Sequence, residues 1–318
     1  MIPVSVKSSK SSIAWLINPR AANSKWLRRK RLRKVLKNIV PGDLHAAHGD
    51  ANGFREKAKN ACADHDTIVA MGGDGTIADA LQGILEAGSG QKVLFGVVPF
   101  GSGNAFRKSF GISKNPRLAI RALSRGVARP IDLLEIEGRY AAFASIGATA
   151  RVTGEKLENS VAGIWGHVLA GRRLFGTPRG AKEIELFDGF DEHGPFEHKT
   201  IPSNFFDCVV TKTSYFGYSW HIAPRARVDD GYLDITLFEF SAIRYVLRFP
   251  LIYFGLYPKK RRHFKARRIV VSGEALPIQF NGEFLGHRDH VDIRVVPKAI
   301  RMICPPGRRG SRKFVDAG

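Results

Sequence analysis

Apolar and polar positions follow two rhythms along this chain, and the change from one to the other divides it. "SIAWLINP" (Ser12–Pro19) is a short apolar run stopped by proline, which predicts a buried strand. Ser24–Val40 spaces Trp26, Leu27, Leu32, Val35, Leu36 and Ile39 as one helix face, with Lys and Arg opposite and Ser24 as cap. "DLHAAHG" predicts a short strand, "ANGFREKAKNACADHD" a second helix, and "TIVAMG" a further strand followed by a helix from about Thr76. Lys92–Phe100 predicts another strand, and "GSGNAFRKSFGI" opens another helix. Strands alternating with helices at these spacings imply parallel pairing through right-handed crossovers. The expectation for residues 1–129 is an α/β domain of the doubly wound kind, a parallel sheet with flanking helices.

Past Arg129 the rhythm shortens. "RPIDLLEIEGRYAAFASIGATA", "AKEIELFDGF", "SNFFDCVVTKTSYFGYSW" and "YLDITLFEF" are strand-like runs parted by turn residues. They predict a mainly antiparallel, β-sandwich-like domain over 130–300, with residues 301–318 as a tail packing back on the first domain. Helical interruptions are expected near Val161–Leu174 and over Ser241–Tyr257, the latter broken by Pro250.

Composition alters this picture only through charge. Fifty Lys and Arg against 29 Asp and Glu give a formal net of +21 and a pI near 10.2, which favours an acidic partner: nucleic acid, an anionic membrane surface or a polyphosphate substrate. No apolar run is long enough to span a bilayer, and the first residues lack a signal-peptide core, so a cytoplasmic location is expected. Cys62, Cys208 and Cys304 have no metal-ligand spacing and are expected to be buried free thiols.

The candidate chemistry starts at "TIVAMGGDGTIADALQGIL" (Thr67–Leu85). Gly72 and Gly73 let a backbone approach closely, and the helix that follows offers unpaired N–H groups and a positive dipole end suited to phosphate. Asp74 repels phosphate unless it addresses a magnesium ion or the hydroxyl that attacks a phosphoryl group. The bland alternative is a strand–turn–helix corner in which Asp74 merely caps the helix. "VVPFGSGNAF" repeats the design with Gly101, Ser102, Gly103 and Asn104, and "INPRAANSK" supplies a third polar turn at what should be the same sheet edge. Neither a Walker A loop nor a GxGxxG fingerprint is present.

Taken together, "GGDGT", the "NP" turn, "PFGSGNAF", "GYSWHIAPRARVDDGYLDITLF" and "LPIQFNGEFLG" resemble, in order, the diacylglycerol kinase catalytic-domain family of lipid kinases. The glycine motif alone is shared with NAD kinases and phosphofructokinases, whose α/β fold the first domain would then share. The resemblance implies an ATP- and Mg²⁺-dependent kinase acting on a lipid hydroxyl. It implies ATP contacts from Asn18, Pro19, Arg20, Gly72, Gly73, Asp74, Gly75, Thr76, Gly101, Ser102 and Asn104. It implies Asp74 or Glu283 as proton acceptor, and a second, structural magnesium at Asp230 with carbonyls from Arg227 and Tyr232. Read by itself, "FNGEF" is more simply a hairpin turn with a solvated acid.

The chain departs from the family at Asn281, which replaces an aspartate, and at Ala105, where an acid is usual. Sphingosine kinases carry acids in the window matching "SIGATARVTG", which here holds Thr149, Arg151 and Thr153 and no carboxylate before Glu155. An amine-bearing substrate needs a nearby anion, so the expected acceptor is a neutral lipid alcohol such as diacylglycerol, with a sphingoid base or ceramide as the alternative. "LRRKRLRKVLK", "YPKKRRHFKARR" and the apolar stretch Leu247–Tyr257 suit peripheral contact with an anionic membrane. A packed helix with a solvated basic edge is the plainer account of the same residues.

A nucleic-acid-binding protein is the rival class, disfavoured because aromatics do not interleave with the basic runs. An NAD kinase-like enzyme is the rival activity, and it leaves "DDGYLD" and "NGE" without a role. His287 and His290 are read as exposed residues with no metal. Homo-oligomerisation is left open.

Overall fold

The computed structural model describes residues 12–18, 43–46, 51–100, 105–158, 182–216, 220–254, 256 and 262–306. The chain forms two compact units, Met1–Ile131 with Ala299–Gly318, and Asp132–Lys298. The helix expected over Ser24–Val40, the one near Val161–Leu174, and residues 307–318 of the tail lie outside the described residues.

In the first unit, β1 (Ile13–Ile17), β2 (Asp43–Ala46), α1 (Ala51–Asp64), β3 (Thr67–Gly72), α2 (Asp74–Glu86) and β4 (Leu94–Pro99) follow one another. Next come α3 (Ala105–Ser109), α4 (Pro116–Leu123) and the start of β5 (Val127–Ile136). β1 pairs in parallel with β2 and β3, and β3 in parallel with β4. Every residue of β1 and β3 is buried, the composition expected of parallel strands covered on both faces. α1 packs on α2, and a side chain at Gly83 would run into the carbonyl of Arg55. The two helices are also joined by Arg55, whose Nε donates to Glu86 Oε2 at 2.6 Å. α4 opens on Asn115, whose side chain accepts from Arg117 N, with Pro116 in the first helical position.

The second unit contains β6 (Arg139–Ala141), β7 (Phe143–Gly147), α5 (Ala148–Glu158), β8 (Lys182–Asp191), β9 (Gly194–Ser203), β10 (Asp207–Thr211) and β11 (Leu233–Phe238). It ends with α6 (Ala242–Tyr253), β12 (Arg262–Phe280) and most of β13 (Glu283–Cys304). β12 is the organising strand. Its first residues pair with β11, its middle with β8, and Ile278–Phe280 with β7, all antiparallel. Since β11 also pairs with β10 and β10 with β7, these strands close on themselves. Register shifts between Ser272 and Leu276 give β12 the irregularity that such a change of partner requires. The enclosed core is apolar, with Ile146, Ile184, Leu186, Val210, Ile235 and Ile278 among its residues.

Beyond Lys298 the chain returns to the first unit, where Arg301 and Met302 of β13 pair in parallel with Leu94 and Phe95 of β4.

Three local expectations are corrected. Pro250 does not break its helix: α6 runs through it to Tyr253. The hydrogen bond that proline forfeits is the one to the carbonyl four residues back, on Val246, a residue that is exposed. The strand read through Ala150 ends at Gly147, whose φ of 114° turns the chain into α5. The helix expected from Thr76 starts at Asp74, with Gly73 as its cap.

Candidate functional site

Parallel register sets the strand ends of the first unit side by side. Ile17 lies opposite Met71, and Gly72 opposite Pro99. Two backbone bonds continue this order into the turns: Asn18 N donates to Met71 O at 3.1 Å, and Phe100 N to Gly72 O at 2.8 Å. The turns that follow β1, β3 and β4 therefore leave from neighbouring positions.

At the central one, a side chain on Gly72 would collide with Thr76. Gly73 caps α2 in an extended conformation with no side-chain cap bond, so no side chain from the cap shields the first turn of the helix. Thr76 is buried, and its Oγ1 accepts from Asn18 Nδ2 at 2.9 Å. Asp74 Oδ1 receives a long bond of 3.4 Å from Phe106 N in α3. The Arg107 guanidinium lies below its ordinary pKa because it is partly buried, and the charge of Asp74 acts against that shift. Asn18, Gly72, Gly73, Asp74, Gly75 and Thr76 are thus gathered at one corner of the first unit. Pro19, Arg20, Gly101, Ser102 and Asn104 lie outside the described residues. A single carboxylate at a helix start suits Mg²⁺, which keeps several waters and borrows phosphate oxygens.

Glu283 belongs to the second unit, where it is exposed at the first position of β13. The turn before it is built by Asn281 (φ 45°) and Gly282 (φ 89°), both left-handed as a two-residue hairpin requires. Asn281 also explains its own presence. Its Oδ1 accepts from Ala142 N at 3.0 Å and its backbone N–H donates to Phe143 O at 3.0 Å, tying the hairpin to the β6–β7 connection. Gln279 adds a brace, its Oε1 accepting from Gly282 N and its Nε2 donating to Ser145 Oγ.

At the residues expected to hold a second metal, the chain's own lysines engage the acceptors. Both carboxylate oxygens of Asp230 are engaged by ammonium groups, Oδ1 by Lys212 Nζ at 2.7 Å and Oδ2 by Lys265 Nζ. Lys212 also donates to the Tyr232 carbonyl, which was to be a metal ligand. Arg227 is exposed, with its Nε 3.8 Å from Asp229. Burial would push the Asp230 carboxyl up, but the two lysines hold it below its ordinary range. Among the described residues, no group of three His, Cys, Asp or Glu side chains is placed to hold a metal ion. His287 and His290 are both exposed on β13.

Sequence reading missed Lys212, because a lysine just past an apolar run looks like a solvated strand end. It also missed Asp207. The window after Gly147 has no carboxylate of its own, yet β10 brings one to it: Asp207 accepts from Thr149 N at 3.2 Å, from Thr149 Oγ1, and from Tyr245 OH at 3.0 Å. Burial pushes the Asp207 carboxyl up to about 6 despite these bonds. The thiols are free as expected, although Cys62 is only half-buried, and burial pushes Cys208 and Cys304 up.

Residues 12–136 match the family described as the diacylglycerol kinase catalytic domain, and residues 197–304 match the YegS C-terminal NAD kinase beta sandwich-like domain. The chain is 28% identical over 250 residues to a protein of Bacillus subtilis (strain 168) named diacylglycerol kinase, covering 75% of this chain and 77% of that one. It is 31% identical over 192 residues to a Pseudomonas aeruginosa protein named "Probable lipid kinase YegS-like", 59% of each chain. A crystal structure of a diacylglycerol kinase from Bacillus anthracis str. Sterne superposes with a TM-score of 0.72 at 19% identity, covering 94% of this chain and 99% of that one, a likeness of fold.

Proposed function

Because the chain belongs to the diacylglycerol kinase catalytic-domain family of lipid kinases, we propose that it transfers the γ-phosphate of ATP to the hydroxyl of a neutral lipid such as diacylglycerol. The observation that carries this reading is the corner at Gly72–Thr76, where an open helix start and one carboxylate lie between the ends of β1 and β4. The N–H groups of α2 and the bare backbone of Gly72 and Gly73 suit phosphate oxygens. Asn18 and Thr76 brace that corner, and Pro19, Arg20, Gly75, Gly101, Ser102 and Asn104 are assigned to the nucleotide. Mg²⁺, when bound beside Asp74, would neutralise charge on the phosphates.

A lipid hydroxyl is a weak nucleophile, so a carboxylate must take its proton. Glu283 and Asp74 are the two groups assigned to that role. Glu283 is the better exposed for a substrate that arrives from outside, on a turn braced by Asn281 and Gln279. The absence of an acid within the Ala148–Gly154 window, against which Asp207 is buried and bound to Thr149, favours an acceptor without an amine.

Such a substrate is delivered in a bilayer. Peripheral docking is supported by α6, which exposes Ile243, Val246, Leu247 and Leu251 beside Arg244, with Leu247 74% exposed. Lys259, Lys260, Arg261 and Arg262 follow it in the sequence, and each basic residue near an anionic leaflet contributes about 1 kcal/mol. No helix among the described residues is long and apolar enough to cross a membrane.

The test is incubation with radiolabelled ATP, magnesium and separate mixed micelles of diacylglycerol, ceramide and sphingosine, with NAD as a soluble acceptor. Label in phosphatidic acid above every other product supports the proposal. Label in sphingosine phosphate or NADP instead overturns the acceptor class.

A further inference from the structure

Asp132, Asp230 and Asp234 meet two lysines inside the second unit, where the family resemblance implies a structural magnesium and the proposed reaction gives the lysines no part. Lys212 is fully buried, and its Nζ reaches Asp132 Oδ2 at 3.2 Å, Asp230 Oδ1 at 2.7 Å and the Tyr232 carbonyl. An ammonium has three protons, and three acceptors surround this one. Each carboxylate is fixed in turn by backbone. Asp132 accepts from Gly231 N at 2.7 Å and from Lys298 N at 2.8 Å, while Asp230 accepts from Tyr232 N at 3.2 Å. Lys265 Nζ bonds the other oxygen of Asp230 and lies 3.4 Å from Asp234, which is buried without a hydrogen bond and has His263 Nε2 3.4 Å from its other oxygen.

These contacts join segments far apart in sequence: the middle of β5, the end of β10, the loop before β11, and both long strands. Joining distant oxygen ligands is what a structural divalent ion does, and such an ion would need the same Asp230 carboxylate and Tyr232 carbonyl. Here those acceptors converge on a cation that the chain itself carries. An ammonium and a divalent ion cannot both occupy this point, since they would fill the same space and like charges repel in a dry site.

We propose that the Lys212 ammonium is a built-in replacement for a bound divalent cation, and that the second unit is held together at this point without metal. Magnesium would then be needed only with the nucleotide, and the integrity of this unit would be indifferent to the magnesium supply. The claim does not depend on which lipid is phosphorylated.

The test uses the full chain without nucleotide. Thermal melts of the wild type are expected to coincide in EDTA and in excess MgCl₂, and titration with Mn²⁺ followed by electron paramagnetic resonance should show the same bound metal in wild type and Asp230→Asn. Lys212→Met, which removes the charge and keeps the bulk, should lower Tm by about 10 °C in both buffers, since it strands buried carboxylates. Lys212→Ala, which opens space, should gain an Mn²⁺ site that the added Asp230→Asn change removes. A wild-type Mn²⁺ site lost in Asp230→Asn, or a magnesium-dependent rise in wild-type Tm, overturns the proposal. Both of those readings are made without any lysine variant, so poor folding of Lys212→Met or Lys212→Ala leaves the test intact.

Discussion

The side-chain amide of Asn18 donates to the hydroxyl of Thr76 at 2.9 Å, so the residue that ends β1's run is locked to the first turn of α2. That bond fixes the spacing of two turns assigned to the nucleotide. Asn18→Ala is expected to raise the KM for ATP by roughly three- to tenfold, the worth of one hydrogen bond, with kcat changing less. Steady-state kinetics at varied ATP checks it; an unchanged KM would show that the bond is only structural.

Asp74 and Glu283 are separable by substitution because one sits in a helix start and the other on an exposed turn. Each isosteric amide, Asp74→Asn and Glu283→Gln, should reduce kcat by about 10²-fold or more while the circular dichroism melt stays within a few degrees of wild type. The proton acceptor is the one whose loss also removes the acidic limb of the pH–rate profile. Activity above a tenth of wild type would remove that residue from the catalytic set.

Gly72 and Gly75 make a matched pair. A methyl group at Gly72 meets Thr76, whereas one at Gly75 meets nothing within 4 Å. Gly72→Ala should destabilise the protein by roughly 1–3 kcal/mol, and Gly75→Ala, inside α2, should stabilise it by up to about 1 kcal/mol. Urea unfolding followed by fluorescence measures both.

Asp207 predicts a pH dependence of stability. Its carboxyl titrates at about 6 in the folded protein against an ordinary value of 3.8, so the native state binds the proton more tightly than the unfolded chain. The stabilisation is complete below the ordinary value and is lost as pH rises through about 6, a change of roughly 2–3 kcal/mol. Asp207→Asn keeps the shape and lets Thr149 and Tyr245 retain partners, and it should flatten the slope of unfolding free energy between those two values. A variant with the wild-type slope would assign the dependence to another group.

The strand and helix alternation of the first unit was legible because β1, β3 and β4 are largely apolar runs closed by Pro or Gly at the last residue or within two residues of it. The corner at Gly72 was legible for a similar reason, since glycine there answers a local steric demand. What stayed hidden depends on partners distant in sequence. Nothing around Lys212 announces that Asp132 and Asp230 surround it, and Asp207 gains its character only when Thr149 and Tyr245 close over it. Pro250 misled because the rule against proline inside helices weakens where the residue four positions back, here Val246, is exposed. The alternating β9, nearly all of whose residues are at least partly exposed, carried too little apolar signal to be read as a strand.

One edge of the first unit's sheet waits for the far end of the chain. Arg301 and Met302 lie against Leu94 and Phe95, Arg301 N donates to Gly90 O at 3.0 Å, and Ile300 and Ile303 are buried. A ribosome must therefore synthesise the whole intervening unit before this edge can be closed, and until then β4 offers unpaired backbone to any passing strand. Folding of the Gly72 corner is for that reason coupled to synthesis of residues 299–304, and a fragment ending at Ile131 would need those residues supplied as a separate peptide to become whole.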